Sequence, residues 1–171
     1  MTSSIHAPAS LSALAQTISM RIGVISDTHG LLRPEAVHAL AGCAHILHAG
    51  DVGNDAILDA LQAIAPLTAI RGNVDHGGVC RNLPATETIE LYGNLIHMLH
   101  ARESLDLHPH AAGIAAVIFG HSHHPEISWA DGVLYFNPGS AGPRRFSLPV
   151  TLGFLECSPG TLSPSIVPLL P

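Results

Sequence analysis

From Met20 onward, short apolar runs alternate with segments whose apolar residues recur at helical spacing. Residues 21–26 form an apolar run that ends in polar residues, and 34–40 follow with Pro34 suited to the first turn of a helix. Residues 45–49 read as a second strand. Residues 54–64 carry Ile57, Leu58, Leu61 and Ile64 at helical spacing behind Asn54, a residue type that caps helices well. Residues 67–70 predict a third strand. Strand and helix in this alternation imply βαβ units around a parallel sheet.

After Arg71 the texture changes. Residues 86–91 and 94–100 read as two strands about Tyr92-Gly93, hence a hairpin. The pattern predicts a short helix over 104–112, which Pro109 and Gly113 oppose. Residues 114–119 form a buried strand, and 126–130 and 133–136 flank Asp131-Gly132, a strong hairpin turn signal. Residues 150–156 and 165–169 complete an antiparallel tail that is expected to pair subunits in a small homo-oligomer. With no internal linker or repeat, 20–171 read as a single α/β domain with two packed sheets. Residues 1–19 lack a basic n-region and contain no arginine, which argues against secretory or mitochondrial targeting, and are read as a disordered N-terminal extension.

Composition narrows the chemistry. The chain has 171 residues, 47% of them hydrophobic, enough for a proper core. All seven basic residues are arginines. The absence of lysine excludes a P-loop, a kinase-type phosphate-binding lysine and Schiff-base chemistry. A formal charge of -6 without a basic run is a poor match to duplex nucleic acid. The three cysteines are widely spaced and form no CxxC, so neither a disulfide framework nor a zinc knuckle is suggested, and a reducing cytoplasm fits best. No apolar stretch reaches the ~18 residues that would span a bilayer, so no membrane partner is expected.

Histidine is abundant, at 13 residues, and three fall within four positions in "IFGHSHHP" (118–125), just where an apolar run ends. Imidazole is the commonest metal ligand and also titrates near neutral pH. The other strands end in comparable residues. The first gives Ser26-Asp27-Thr28-His29-Gly30, the second Gly50-Asp51, the third Gly72-Asn73-Val74-Asp75, the hairpin strand His100, and the later strand His121 and His123. Ligand sites in open α/β sheets lie outside the carboxyl ends of strands, so these seven O and N ligand candidates converge from five strands on one edge. Taken singly each element is bland; His48 and His97, for instance, read as hydrogen-bonded packing residues. The ordered recurrence of D-x-H, GD, GN, H and GHxH is what points to a metal site.

With "GVISDTHG", "ILHAGDVG", "IRGNVD" and "NPGSAGPR", this ordered set resembles the calcineurin-like metallophosphoesterase superfamily, in particular its small bacterial and archaeal phosphodiesterase branch, over about 20–156. The resemblance implies a four-layered αββα sandwich of two mixed sheets flanked by helices, with the metal site at strand C-terminal ends. It implies two divalent metal ions per chain. Asp27, His29, Asp51 and His123 would hold one, and Asp51, Asn73, His100 and His121 the other, so that Asp51 bridges. Asp51, Asn73 and His100 are the expected catalytic residues. Two divalent cations roughly 3.5 to 4 Å apart acidify a bridging water and stabilise the attacking and leaving oxygens of an in-line phosphoryl displacement. Oxygen and imidazole ligands without thiolate suit manganese, iron, nickel, cobalt or zinc alike, and manganese is the expected ion. The implied function is a phosphodiesterase that hydrolyses small phosphate esters by attack of a metal-bridging hydroxide. The alternative is a metal-binding interaction scaffold with little or no hydrolysis, since the retromer scaffold subunit resembles the same fold.

Two positions depart from the family pattern. Many members carry His after the GN asparagine, where it assists the leaving group; here Val74 stands there, while Ala101 replaces the usual glycine after the hairpin histidine. Substrate-contact candidates are Arg102, through bidentate guanidinium contact with phosphate, and His76 and His124, with exposure the simpler reading for His124. The segment Asn137-Pro138-Gly139-Ser140 is expected to order a loop near the metals, with Arg144 and Arg145 anchoring that loop or facing solvent.

Overall fold

A computed structural model describes residues 19–171, so the expected N-terminal extension lies outside the described residues except for Ser19. In the first sheet, β1 (Met20–Ile25), β2 (His45–His48) and β3 (Leu67–Ala69) run parallel, with Ile22 opposite His45 and Ile46 opposite Leu67. On the other side of β1, β9 (Thr151–Ser158) and β10 (Thr161–Pro168) add antiparallel, giving the order β10-β9-β1-β2-β3. The second sheet is also mixed: β4 (Thr86–Leu91), β5 (Asn94–Leu99), β6 (Ala116–Ile118), β7 (Glu126–Ala130) and β8 (Val133–Asn137), in the order β4-β5-β6-β8-β7.

Alternation along the strands sorts the core into layers. Ile22 and Val24 of β1, with Leu47 and Ala49, face Ile96, Met98, Ile118 and Phe136 of the second sheet, while Ile25 and Ile46 face the helices. Those helices are α1 (Pro34–Leu40), with proline in its first turn, and α2 (Asp55–Gln62). The Asn54 side chain accepts a hydrogen bond from Ala56 N–H at 2.9 Å, which caps α2 as its sequence predicts. Ile57, Leu58 and Leu61 then bury one face against the sheet. Both expected hairpin turns are present. Tyr92-Gly93 and Asp131-Gly132 each take positive φ at both residues (50 and 77°, 51 and 77°), the twist that matches two-residue connections.

The four-layered sandwich is thus in place, with a thin fourth layer. The outer face of the second sheet carries no α-helix among the described residues. The helix expected over 104–112 is replaced by a 3₁₀ turn at Arg102–Ser104, an extended piece, and a turn closed by Ile114 N–H on the Pro109 carbonyl at 2.9 Å. Leu105 and Leu107, two apart rather than three or four, pack on that face with Leu99, Val117 and Phe119. The tail strand β10 starts at Thr161, ahead of the expected 165, because Pro164 is tolerated on an edge strand. Among the described residues no helix is long and apolar enough to cross a membrane.

Leu61 is fully buried between α2 and the sheet. Leu61→Ala is expected to cost about 2–5 kcal/mol, whereas Asn54→Ala should cost about 1 kcal/mol through loss of the cap. Urea midpoints at unchanged slope measure both.

Candidate metal centre

The strands of the parallel cores end in abrupt reversals. Beyond β1, β2 and β6 the chain turns through left-handed backbone at Asp27 (φ 55°), His29 (45°), Asp51 (55°), His121 (67°) and His123 (59°). Five of the seven ligand candidates therefore hold a conformation that costs non-glycine residues about 1–3 kcal/mol each, which persists only where the surroundings enforce it. Two glycines make room. A Cβ on Gly72 would strike the Asp51 backbone and carboxylate, and one on Gly50 (φ 95°) would come within 2.7 Å of His100 Nδ1.

All seven candidates meet at this edge. Asp27 Oδ1 lies 3.3 Å from His123 Nε2 and 3.7 Å from His29 Nε2, and the two imidazole nitrogens are 3.2 Å apart. Beside them, Asp51 Oδ2 is 3.3 Å from His100 Nε2, and Asn73 Oδ1 is 3.2 Å from the same nitrogen and 3.1 Å from His121 Nδ1. Asp51 Oδ2 also lies 3.6 Å from His29 Nε2, so one carboxylate oxygen faces both groups. Asp27 reaches toward the second group as well, at 4.0 Å from His100 Nε2.

The donor set fits metal ions. Bonds of about 2.0–2.2 Å would put neighbouring ligand atoms roughly 3.0–3.5 Å apart, close to the separations found. Asp27 Oδ1 is buried with no N–H or O–H aligned on it, and an unsatisfied buried carboxylate oxygen is costly without a cation. His123 Nδ1 is likewise buried and unpaired. His100 Nδ1–H donates to the Ala49 carbonyl at 2.8 Å, which turns Nε2 into the centre, as second-partner hydrogen bonds do for metal-binding histidines.

Charge is compensated around the two acids. Burial alone would raise the Asp27 carboxyl, but His123, His29 and the Ser26 hydroxyl outweigh it and hold it well below the usual carboxylate range. Burial is also opposed at Asp51, where His100 and the Val74 N–H, 3.0 Å from Oδ1, lower the pKa. His100 is pushed up: burial works against it, but Asp51, the Ala49 carbonyl and Asp27 prevail.

The NPGS segment ties these loops together as expected. Ser140 Oγ donates to the Asp27 carbonyl at 3.0 Å, and Asn137 Nδ2 donates to the Gly120 carbonyl at 2.8 Å. His97 is buried with Nδ1 2.8 Å from Thr88 Oγ1, a packing residue as read.

The substrate-contact candidates fare differently. Arg102 is paired with Glu126 at 2.6 Å and lies over Tyr135, 4.6 Å from the ring centre. It lines a cleft of about 450 Å³ that opens beside Gly120, His121 and Ser122. His76 and His124 are exposed, and neither side chain hydrogen-bonds a ligand candidate among the described residues. Arg144 anchors the chain end by donating to the Pro171 carbonyl at 3.0 Å. Arg145 is exposed, one of the two things expected of it, and its Nη2 also lies 3.4 Å from His29 Nε2, at the mouth of the cluster.

One supporting residue escapes sequence reading, and another, His48, is a hydrogen-bonded packing residue as read. Asp75 accepts from Val52, Gly53 and Gly72 N–H at 3.1, 2.7 and 2.8 Å, locking the β2 and β3 loops together. The acid next to a GN turn is its only sequence signal. His48 is wholly buried: Nδ1 accepts from Gly50 N–H at 3.2 Å, so Nε2–H donates to Thr28 Oγ1 at 3.0 Å, and that hydroxyl donates to the Val52 carbonyl at 3.0 Å.

The family model for the calcineurin-like phosphoesterase superfamily domain matches residues 20–160. The chain belongs to this superfamily. A probable metallophosphoesterase of Methanocaldococcus jannaschii is 36% identical over 143 residues, covering 76% of this chain and 72% of the relative. An archaeal phosphodiesterase structure superposes with a TM-score of 0.72 at 22% identity, covering 86% of this chain and 100% of that one. Vps29 of Entamoeba histolytica, solved with Zn²⁺, gives 0.67 at 22% identity over 88% of this chain and 100% of its own. At that identity the two structures establish the shared phosphoesterase fold.

His48 generates a pH prediction. Burial pushes its pKa from 6.5 down to about 4, with His100 adding and Asp27, Asp75 and Asp51 opposing. The unfolded ring takes up a proton near pH 6.5 that the folded ring refuses, so His48's contribution is complete above about pH 6.5 and is lost progressively toward pH 4. His100, pushed up, works the other way over this range. By urea unfolding of chelator-treated proteins, the wild type should therefore lose more stability between pH 7 and pH 5 than His48→Gln does.

Proposed function

We propose that this protein is a metal-dependent phosphodiesterase that hydrolyses small phosphate esters at a binuclear centre. The observation that carries the reading is the pair of adjoining ligand groups, Asp27 with His29 and His123 and Asp27 with Asp51 and His100, where Asp51 Oδ2 faces both His29 and His100 and an Asp27 oxygen is buried without a partner. Asp27, His29, Asp51 and His123 would hold one divalent ion, and Asp51, Asn73, His100 and His121 the other, with manganese first among manganese, iron, nickel, cobalt and zinc. Bound together, the ions would supply a water acidified for attack and neutralise charge building on the phosphoryl oxygens.

The chain's own residues do the positioning. The Val74 N–H fixes Asp51 Oδ1, leaving Oδ2 to face both groups, and the Ala49 carbonyl orients His100. Ser26 and the His121 N–H hold Asp27 Oδ2 at 2.7 and 3.1 Å, so that Oδ1 turns inward. The archaeal relative named a probable metallophosphoesterase and the archaeal phosphodiesterase of the same fold support this activity. The Vps29 likeness supports a second reading, an interaction scaffold, though a scaffold has no need of seven converging ligands. Metal-stripped protein, reloaded with single metals and assayed on mono- and diesters, separates the two: no restoration by any metal favours the scaffold.

If Asp51 is shared, Asp51→Asn should cost more activity than Asp27→Asn. Losing even an outer-shell partner typically costs about 10–100-fold, and a shared ligand should exceed that. Metal content by elemental analysis should fall toward zero for Asp51→Asn and to one ion for Asp27→Asn; equal mild losses with two ions retained would remove Asp51 as the bridge.

Val74 stands where many family members have a proton donor, and 38% of its surface is exposed. Removing a general acid typically costs a factor of about 10² to 10⁴. Nitrophenolate esters should thus be turned over well and alkyl diesters such as cyclic nucleotides slowly, with rates falling steeply as leaving-group pKa rises. Val74→His should flatten that dependence. A shallow dependence in the unmodified protein would mean another group protonates the leaving oxygen, and His76→Ala and His124→Ala would identify it.

A further inference from the structure

Arg145 makes one polar contact that cannot survive metal binding. Its guanidinium, which can only donate, points Nη2 at His29 Nε2 from 3.4 Å. That nitrogen has a single lone pair, and it is the one directed into the cluster beside Asp27 Oδ1, Asp51 Oδ2 and His123 Nε2. An ion held there takes the lone pair and leaves the guanidinium facing the open side of the centre with its donors free. The two carboxylates Asp27 and Asp51 offset only half the charge of two divalent ions. A guanidinium at the mouth adds to that excess, so the place in front of it favours an anion.

Among the described residues no other arginine is comparably placed. The chain has seven arginines and no lysine. Arg21 and Arg102 are paired with Glu156 and Glu126, each at 2.6 Å, while Arg33, Arg71 and Arg144 donate to backbone carbonyls at 3.1, 2.8 and 3.0 Å. Arg81 lies exposed on the 3₁₀ turn Cys80–Asn82.

The loop that carries Arg145 is held in shape from its base. Ala141 N–H donates to the Ser26 carbonyl at 3.1 Å, Arg33 Nε donates to the Gly142 carbonyl, and Leu148 N–H closes a turn on the Arg145 carbonyl at 3.1 Å. The next residue, Phe146, keeps left-handed backbone (φ 52°) although its side chain is 96% exposed.

We propose that Arg145 is the residue that recognises the phosphate of the substrate, its guanidinium donating to a non-bridging phosphoryl oxygen at the mouth of the centre. The substrate role rests on the phosphodiesterase reading; the anion site does not. The full chain loaded with Mn²⁺ tests it, as wild type, Arg145→Ala, Arg145→Lys and Arg144→Ala. Calorimetric titration with inorganic phosphate should show affinity lowered about tenfold or more in Arg145→Ala, the scale of a charge-assisted hydrogen bond. Arg145→Lys should fall between, because an ammonium keeps the charge and loses the bidentate fork. Metal content and Tm should be unchanged in all four, and Arg144→Ala should match wild type. On bis(p-nitrophenyl) phosphate, Arg145→Ala should raise KM by a similar factor. Unchanged phosphate affinity in Arg145→Ala, an equal loss in Arg144→Ala, a loss that follows metal content, or no phosphate binding by the wild type would each overturn the inference. Phosphate binding that depends on Arg145 in a protein hydrolysing no ester with any metal would uphold the anion site and overturn both the substrate role and the phosphodiesterase reading.

Discussion

Asp27 and Asp51 are 0 and 3% exposed, and an oxygen of each lies in a group of ligand atoms no more than 4.8 Å apart. Two ionised carboxylates cannot remain so close and so dry unless something positive or hydrogen-bonding answers each oxygen. Much of the surrounding structure is that answer. Ser26, the His121 N–H and the Val74 N–H take one oxygen of each acid, and the imidazoles crowd the others. The strained reversals at the strand ends exist to bring these groups round, and Asp75 and the NPGS segment keep the reversals from relaxing. The remaining deficit, at Asp27 Oδ1, is where the proposed metal enters.

Most of the scaffold is legible in the chain because its signals are local. The capped helix α2, the Tyr92-Gly93 and Asp131-Gly132 turns and the alternation of β1 each depend on residues a few positions apart. The segment 102–114 is not legible in that way. Its leucines answer to the sheet beneath them, and that partner settles an extended path over a helical one. The early start of β10 is similar: Pro164 is permitted only because β9 is its sole neighbour, a fact of topology.

The ligand candidates are legible because each ends a strand and parallel strands end together. Their supports are less so: the NPGS motif flags Ser140, which meets Asp27 across 113 residues, but nothing local marks the partners of Asp75, 22 and 23 residues away, or of Arg145, which meets His29 across 116. Arg102 shows the converse. It looks free in the sequence next to His100, and folding gives it to Glu126 and an aromatic platform.

The proposed centre draws on both sheets. Asp27, His29, Asp51 and Asn73 follow strands of the first, and His100, His121 and His123 follow strands of the second. The sheets meet elsewhere mainly through apolar side chains such as Ile22, Leu47, Met98 and Phe136, with Asn94 Nδ2 donating to the Ser158 carbonyl at 2.9 Å across the seam. An ion that accepted ligands from both sides would act as a clasp across that seam. Its binding energy would then be shared between holding the halves in register and preparing the site, so the seam and the chemistry would fail together: a slip of one sheet past the other, too small to unfold the protein, would be enough to pull the ligand groups apart.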